Sequence, residues 1–469
     1  MSVLAIELND AAVAAVAADG VRYSEPGFAI DLDNALLSGE AARKLRRLHP
    51  RRINFRFWSE LSDSPLRQPV AGCETFADLV YAQLGQLWQE SSAGIEQVLL
   101  AVPPGWSDEQ LALLLGISDE LEVPVAGMVH TGLAVATQPF PDGELFYLEA
   151  TLHGCSVQHL NQSGGQVSLA EQVVLPGTGL HALEGAGLEY VARRLLECSR
   201  FDPMQDAGTE QALADKLPDW FRALQAGASD AGSEIELTHG SWSFEATLDA
   251  AALTVALQAR FEPVLQRLRA MLPVDRPVAL MVSDALSGFP GLVEQIAAET
   301  GADIFIQEPA AAARGALARA GGFALTPDAG FHFVQSLPWA GEPLAAATSG
   351  TAAAAINGTK PSHVLYGSSV YPLQEQAFLV GGELPDGVYG VQLPAAAGVS
   401  RHHFTIRSDA GGVLLEDHSR YGTVLNGHRI DGGVRLRAGD VITLGQPESR
   451  FELVSEVQPG TSDAGSGGD

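Results

Sequence analysis

The 469-residue chain changes its hydrophobic pattern once, and that change limits the folds it can adopt. Before about residue 320, short apolar runs typical of strands alternate with segments of helical periodicity, in two cycles of similar layout. This order predicts an α/β layer architecture, and its repetition predicts a duplicated fold with a cleft between the halves. From Val364 to Val457 the chain consists of short alternating runs between Gly-rich turns, which predicts an all-β domain.

Composition marks the domain boundaries along the chain. We expect a first domain over residues 1–322 and the all-β domain over residues 364–457. Residues 323–363 are rich in Ala, Gly, Thr and Pro without clear periodicity, which is typical of a linker. Residues 458–469 are mostly Gly, Ser and Asp, and we expect a disordered tail there.

Two local signals predict helices in the first domain. Ser107, followed three residues later by Gln110, has the spacing of a capping box that opens a helix. The segment from Ser38 to Leu48 predicts a short basic helix, since it carries three arginines and a lysine.

The charge and cysteine content exclude several classes of partner. The chain has 57 acidic against 28 basic residues, a net charge of −29, and no basic stripe offsets it. Because this field repels phosphate backbones and anionic lipid, we expect no nucleic-acid partner, and without an apolar run of about 20 residues we expect no membrane insertion. The three cysteines are far apart and form no CxxC pair, so neither a disulfide framework nor a structural zinc site is expected. These features predict a cytoplasmic protein.

Five segments of the first domain follow one another in an order that is known from one protein family. They are Leu36–Arg47, Ala101–Leu114, Val125–Ala136, Ala279–Val293 and Pro309–Gly322. In order and spacing they resemble the nucleotide-binding domain of DnaK-type chaperones, within the actin-like superfamily. The resemblance implies a two-lobed α/β actin-like ATPase fold.

The resemblance also implies where a nucleotide would lie, and at those places the chain departs from the family. The matching positions are Glu7, Asn9 and Asp10 in the first hairpin, Glu149 and Thr151 in the second, and Ser283 and Asp284 in the adenosine loop. The family's hairpins are rich in Gly, because only Gly lets backbone N–H groups approach phosphate oxygens. Here the first hairpin has no Gly and the second has one. We therefore expect a degenerate site with no catalytic residue, no metal and no cofactor, ATP with Mg²⁺ being the alternative.

The acids Glu7 and Glu149 allow two interpretations. They could retain a role in metal binding, or they could be strand-end acids that face water. We expect them to face water.

Several motifs in the all-β part also occur together in one family. They are Ser400–Phe404, Leu415–Ser419, Gly422–Gly427, Leu436–Asp440 and Ile442–Gly445. They resemble the forkhead-associated (FHA) domain, an all-β sandwich whose loops bind phosphothreonine peptides. The expected fold is therefore an α/β two-lobed actin-like ATPase fold followed by an all-β FHA sandwich.

The FHA resemblance implies roles for individual loop residues. Ser400 would bind phosphate, while His403, Gly422 and Gly427 would support the fold. The family's main phosphate-binding Arg is absent, because the position after Val380-Gly381 is Gly382. Tyr421 replaces the Asn that fixes the peptide backbone.

The other candidate peptide contacts of this domain are Arg401, Arg420, Tyr421 and Asn426. Arg401 or Arg420 could replace the missing phosphate-binding charge, or both could be solvated loop residues.

Taken together, these patterns predict a cytoplasmic adaptor. A pseudo-ATPase actin-like domain would serve as a scaffold, and the FHA module would recognise other proteins, with threonine-phosphorylated segments among the possible targets. Two alternatives remain open: a nucleotide-dependent actin/DnaK-like ATPase switch, and a structural subunit of a multiprotein assembly.

Overall fold

The computed structural model describes residues 2–454 apart from 142, 226–232, 274–275, 324–331, 345–360, 368, 375, 386, 395–396, 410–411, 426–427, 431, 437, 439 and 446–448. The expected tail at 458–469 lies outside these residues. The chain divides into two compact units. The first comprises Met1–Val264, Pro277–Ala297 and Ala302–Thr348, and the second comprises Leu265–Arg276, Ala298–Gly301 and Ser349–Asp469.

The strands of the first unit form two larger sheets and three two-stranded ones. They are β1 Val3–Asn9, β2 Ala12–Ala17, β3 Gly20–Glu25, β4 Ala29–Leu32, β5 Ala35–Ser38, β6 Pro65–Val70, β7 Cys73–Thr75, β8 Gln97–Val102, β9 Val125–His130, β10 Glu144–Ala150, β11 Gly154–Ser163, β12 Gln166–Pro176, β13 Ser233–His239, β14 Trp242–Leu248, β15 Val278–Val282, β16 Asp303–Ile306, β17 His332–Val334 and β18 Ser336–Pro338.

The helices lie between these strands along the chain. They are α1 Gly39–Arg43, α2 Phe76–Ser91, α3 Asp108–Glu120, α4 Thr131–Val135, α5 Leu180–Ser199, α6 Ala207–Gln225, α7 Ala250–Met271, α8 Asp284–Ser287, α9 Leu292–Thr300 and α10 Ala311–Ala318. Short 3₁₀ helices occupy Pro203–Gln205 and Ala320–Phe323. None of the helices in the described ranges has the length and apolarity needed to cross a membrane.

The two larger sheets of the first unit share one strand pattern. The first has the order β17-β9-β8-β1-β2-β3, and the second has the order β16-β15-β10-β11-β12-β18. In each sheet, three consecutive strands pair antiparallel, and the first of the three pairs on its other side with a parallel strand. The repeated cycle in the sequence thus corresponds to a repeated sheet topology.

Strand β1 shows how the sequence sets the layers. Leu4, Ile6 and Leu8 face one side of the sheet and pack in a core to which α2 and α3 contribute. Ala5 faces the other side, in a second core that includes residues of α4, α10 and the second sheet. Because side chains alternate along a strand, Glu7 lies on the same side as Ala5.

Helices α4 and α10 cross closely in that second core. A Cβ placed on Gly315 of α10 would overlap the carbonyl oxygen of Ala134 in α4. At the end of α10, the Arg319 guanidinium donates to the carbonyl oxygens of Ala136 at 2.7 Å and Leu133 at 2.9 Å. This buried cation therefore satisfies carbonyl groups at the end of α4, which its own helix leaves unbonded.

Two of the sequence expectations for this unit need correction, and one is confirmed. Part of the expected linker 323–363 forms strands, since β17 and β18 extend the edges of the two sheets. The basic segment forms helix only over Gly39–Arg43, and turns follow it. The capping box of Ser107 and Gln110 is confirmed at the start of α3.

The second unit contains two β-sheets. Its strands are β19 His363–Tyr366, β20 Ser369–Pro372, β21 Phe378–Gly381, β22 Gly390–Gln392, β23 Phe404–Asp409, β24 Gly412–Asp417, β25 Val424–Leu425, β26 His428–Arg429, β27 Gly433–Leu436, β28 Val441–Leu444 and β29 Ser449–Val454. One sheet has the order β20-β19-β29-β28-β25-β26 and the other β22-β21-β23-β24-β27. Alternate residues of both sheets form one buried core, which includes Phe378, Phe404 and Phe451. The expected all-β sandwich is present.

Candidate functional sites

The turns of the β1–β2 and β10–β11 hairpins lie side by side in the first unit. The Asn9 side chain donates Nδ2–H to Glu149 Oε1 at 3.3 Å and to the Ala150 carbonyl oxygen at 3.0 Å. Asp10 Oδ1 accepts the N–H of Leu152 at 2.7 Å. The fold thus brings together hairpin residues that are about 140 positions apart in the sequence.

Glu7 is buried, with 8% of its surface exposed, so the expectation that it faces water is wrong. Its Oε2 accepts the N–H groups of Ala312 at 2.8 Å and Ala313 at 3.2 Å. These amides belong to the first turn of α10, where N–H groups have no partner within the helix. Burial raises the pKa of Glu7 to about 7, and the two amide hydrogen bonds act in the opposite direction. The carboxylate therefore caps a helix inside the domain.

Glu149 is fully buried, so the expectation of a water-facing acid is wrong here too. Its Oε2 accepts from the Thr131 hydroxyl at 2.6 Å and from Gln158 Nε2 at 3.3 Å. Burial raises the pKa of Glu149 to about 8, with a further contribution from the charge of Glu7. At neutral pH the Glu149 side chain is therefore largely protonated.

Four amide groups at the two hairpin turns are bonded to the protein's own side chains. The bond of the Leu152 N–H is given above. The other three donors are the N–H of Ala11 to Asn9 Oδ1 at 2.9 Å, that of Gly154 to Thr151 Oγ1 at 3.2 Å, and that of Cys155 to Thr178 Oγ1 at 3.1 Å. A phosphate group held by backbone amides needs these same donors. A phosphate entering here would have to break internal hydrogen bonds.

The remaining predicted residues of this site lie at the end of β15. Ser283 Oγ accepts the N–H of Ala150 at 3.2 Å, so Ser283 contacts the second hairpin directly. Asp284 begins the short helix α8, and burial raises its pKa. Its charge also contributes to the raised pKa of Glu7.

The donor set of this site does not fit an ATP–Mg²⁺ complex. Glu7 is engaged with α10, and Glu149 is enclosed by neutral donors. Nor does any group of three His, Cys, Asp or Glu side chains in the described ranges have an arrangement that could hold a metal ion.

Sequence reasoning missed the partners of the two acids. They are Thr131, Gln158 and the α10 amides of Ala312 and Ala313. Thr131 lies in the segment Val125–Ala136 that carries the chaperone resemblance, but nothing in that segment marks it as a partner of Glu149. Gln158 and the two alanines carry no signal in the sequence, because their role depends on the fold.

In the second unit, Ser400 connects two loops. Its backbone N–H donates to His403 Nδ1 at 3.0 Å, and its hydroxyl oxygen accepts the N–H of Arg420 at 3.0 Å. His403 is fully buried, and burial lowers its pKa, which keeps the ring neutral and able to accept. The His403 backbone pairs with Val380 and His418 at 2.8 Å each. His403 therefore connects the backbone at Ser400, Val380 and His418.

The loop from Ser419 to Thr423 is held by short internal bonds. Gly422 adopts φ +85°, a conformation that favours Gly, and its N–H donates to Ser419 Oγ at 2.7 Å. A Cβ on Gly422 would overlap the side chain of Arg429, so this arginine lies against the loop. Two predicted residues, Asn426 and Gly427, lie outside the described part of the chain.

The candidate peptide contacts are exposed on these loops. The Arg401 side chain is 87% exposed and lies 3.6 Å from Glu383, while Arg420 is exposed and Tyr421 is 61% exposed.

The two glycines after Val380 have different surroundings. A Cβ on Gly381 would overlap the Arg401 carbonyl oxygen, whereas a Cβ on Gly382 would have its nearest neighbours 3.7 Å away. Position 382 therefore has room for a side chain.

Comparison with known proteins agrees with this geometry in the second unit. Residues 388–445, which include Ser400, His403 and the loop with Gly422, match the family model described as FHA domain. Among curated proteins, no match to the chain was found. Strands β19–β21 and β29 lie outside the matched segment but complete the same two sheets. The C-terminal part of this chain thus contains an FHA domain, a module for protein–protein interaction.

Proposed function

We propose that this protein is a cytoplasmic adaptor. Its FHA domain recognises a threonine-phosphorylated protein partner, and residues 1–322 act as an actin/DnaK-like scaffold that does not hydrolyse ATP. One observation supports the scaffold part of the proposal. An ATPase would direct the acids and amides of the two hairpins at phosphate and Mg²⁺, whereas here they form hydrogen bonds within the protein.

The repeated sheet supports the actin-like part of the proposal. The orders β3-β2-β1-β8-β9 and β12-β11-β10-β15-β16 are equivalent, with two antiparallel pairings followed by parallel ones. A duplicated α/β unit of this kind is what the resemblance to DnaK-type chaperones implies. Helices α4 and α10 contribute to a core shared by the two sheets.

Calorimetric titration of the full chain with Mg-ATP tests the scaffold. We expect no saturable binding up to millimolar nucleotide, because at least four amide hydrogen bonds of the hairpins would have to break. Each such bond contributes about 0.5–1.5 kcal/mol to stability. Saturable binding, or phosphate release that disappears in Glu149→Ala, would show an active nucleotide site and would overturn this part of the proposal.

The partner class of the FHA domain is proposed from its loops. Ser400 is held by His403 and by the N–H of Arg420, while its hydroxyl hydrogen remains available to donate. Arg401 and Arg420 are exposed on the same two loops. Guanidinium groups and hydroxyls are the donors that bind a phosphate dianion. A phosphothreonine side chain therefore fits this surface. We expect the wild type to bind it more weakly than a variant with Arg at position 382 would.

A library of threonine-phosphorylated peptides, titrated against the full chain, tests the partner class. We expect selection of phosphorylated over unmodified peptides, and a loss of about tenfold in affinity in Ser400→Ala, since a hydrogen bond to a charged group contributes about 1.5–3 kcal/mol. The matched control is Ser408→Ala on β23, which should bind like the wild type. Equal binding of phosphorylated and unmodified peptides would contradict phosphate recognition.

A further inference from the structure

A cavity of about 480 Å³ lies in the first unit, beside the turn of the β10–β11 hairpin. Trp106 forms one aromatic wall and stacks on Trp58, which is only 1% exposed, with ring centroids 6.5 Å apart and planes 20° from parallel. His153 and His181 also line the cavity, and both pack on the ring of Phe55 at 5.2 and 5.1 Å. The volume is that of pockets that hold small organic molecules, and its aromatic lining favours a flat one.

The polar groups of the lining include hydrogen-bond acceptors. His153 Nε2 lies 2.7 Å from the Phe55 carbonyl oxygen, which can only accept, so Nε2 carries the hydrogen and Nδ1 keeps a lone pair. Burial lowers the pKa of His153, and it lowers that of His181 to about 4, so both rings are neutral at pH 7. Asp10 also lines the cavity, and its Oδ2 has no hydrogen-bond partner in the described part of the protein.

Three amide donors of the lining are already used. The N–H groups of Leu152, Gly154 and Cys155 bond to protein oxygens, and the Cys155 thiol donates to the Thr178 carbonyl oxygen at 3.2 Å. The Arg56 side chain is paired with Glu60 at 2.9 Å. An anion would thus find these amide donors occupied, whereas a neutral molecule with its own donor would find acceptors.

We propose that this cavity binds a flat, uncharged aromatic molecule that carries an N–H or O–H donor. Its ring packs on the wall formed by Trp106, and its donor bonds to His153 Nδ1. This goes beyond the adaptor function, since it makes the scaffold domain responsive to a small molecule. It does not depend on whether the FHA domain recognises phosphate.

Three matched probes test the ligand class on the full chain, by calorimetry and ligand-observed NMR. Indole has the ring and the donor, benzofuran has the ring without the donor, and indole-3-carboxylate adds an anion. We expect saturable binding of indole, several-fold weaker binding of benzofuran, and at least tenfold weaker binding of indole-3-carboxylate. No saturable binding of indole, or tighter binding of the carboxylate, would overturn the proposal.

Two variants test the location. Trp106→Ala removes part of the aromatic wall, and Ala182→Phe fills the cavity from α5 without changing charge. We expect each to weaken indole binding at least tenfold. The melting temperature should fall in Trp106→Ala, because this ring also stacks on Trp58, and should be unchanged or raised in Ala182→Phe. Trp242→Ala is the matched control, because Trp242 is 70% exposed on β14 and does not line the cavity. Wild-type binding in Ala182→Phe would contradict this location even if Trp106→Ala failed to fold.

Competition between Mg-ATP and indole for the full chain distinguishes this inference from the adaptor proposal. If Mg-ATP displaces indole, the cavity is a nucleotide site and both proposals are overturned. If indole does not bind and ATP does not bind, only the aromatic site is overturned.

Discussion

Arg46 Nη2 donates to Glu184 Oε2 at 3.0 Å, and this bond joins the segment after α1 to helix α5. Arg43 lies 3.7 Å from the same carboxylate, and Arg47 bonds to Glu210 of α6 at 2.8 Å. The basic segment marked in the sequence therefore links α1 and the turns after it to helices α5 and α6 of the same unit. The charges of Arg43, Arg46 and Arg47 serve contacts within the protein.

Glu184→Gln tests the strength of this link. The Arg46 side chain is only 7% exposed, so replacing its partner with a neutral amide removes the main opposite charge beside a buried cation. We expect the free energy of unfolding to fall by about 2 kcal/mol, which is the range for a hydrogen bond between charged groups. Urea denaturation measures it.

The control for Glu184→Gln is Asp219→Asn, which breaks the Arg222–Asp219 pair. Both of its side chains are more than 70% exposed. Exposed pairs contribute about 0–1 kcal/mol, so this variant should be close to neutral. Equal losses in the two variants would mean that the Arg46 contact is no stronger than an ordinary surface pair.

The buried acid Glu149 predicts a pH dependence of stability. Its pKa is about 8 in the folded protein and near 4.5 when exposed, so between these values the folded state holds a proton that the unfolded state has released. Stability from this group is therefore fully present below about pH 4.5 and is lost as pH rises to about 8, by up to ~1.4 kcal/mol per pH unit. We expect a lower melting temperature at pH 8 than at pH 6.

Glu149→Gln should reduce this pH dependence, because the side chain no longer titrates. Glu74→Gln, at an exposed position of β7, is the matched control and should keep the wild-type profile. A wild-type slope in Glu149→Gln would show that other groups, such as Glu7 and Asp10, account for the dependence.

The sequence predicted the elements of both domains better than their contacts. The repeated strand–helix cycle and the motifs around Ser400 identify local structure, because alternation and turn residues act over a few positions. The partner of Glu7 lies 305 positions away, and no local pattern indicates it. Strands β17 and β18 were missed because three-residue edge strands carry too little alternation to be recognised.

The acids show the same limit in another way. Glu7 and Glu149 were correctly selected as hairpin acids but were expected to face water. Their burial became visible only when Asn9, Thr131 and the α10 amides were placed around them. Burial of a charged group depends on such compensation, which a single sequence does not display.

Gly315→Ala tests the crossing of α10 and α4. Because a Cβ would overlap the Ala134 carbonyl oxygen, the helices must separate, and we expect a loss of about 3 kcal/mol or more. Gly116→Ala in α3 is the matched control, since nothing lies within 4 Å of a Cβ there. That variant should gain about 0.5–1 kcal/mol from helix propensity. Thermal and urea denaturation distinguish the two, and a neutral Gly315→Ala would contradict the close crossing.

Gly382→Arg tests the FHA surface by gain of function. A Cβ at position 382 has no neighbour closer than 3.7 Å, and the Gly382 N–H keeps its bond to the Ser400 carbonyl oxygen at 3.0 Å, so the variant should fold normally. A guanidinium there would lie next to Ser400 and supply the charge that the family uses for phosphate. We expect at least tenfold tighter binding of phosphothreonine peptides to the full chain and no change for unmodified peptides.

Gly381→Ala should destabilise the domain instead, because its Cβ would overlap the Arg401 carbonyl oxygen. If Gly382→Arg folds but binds phosphorylated peptides no better than the wild type, the loops around Ser400 do not form the phosphate-binding surface.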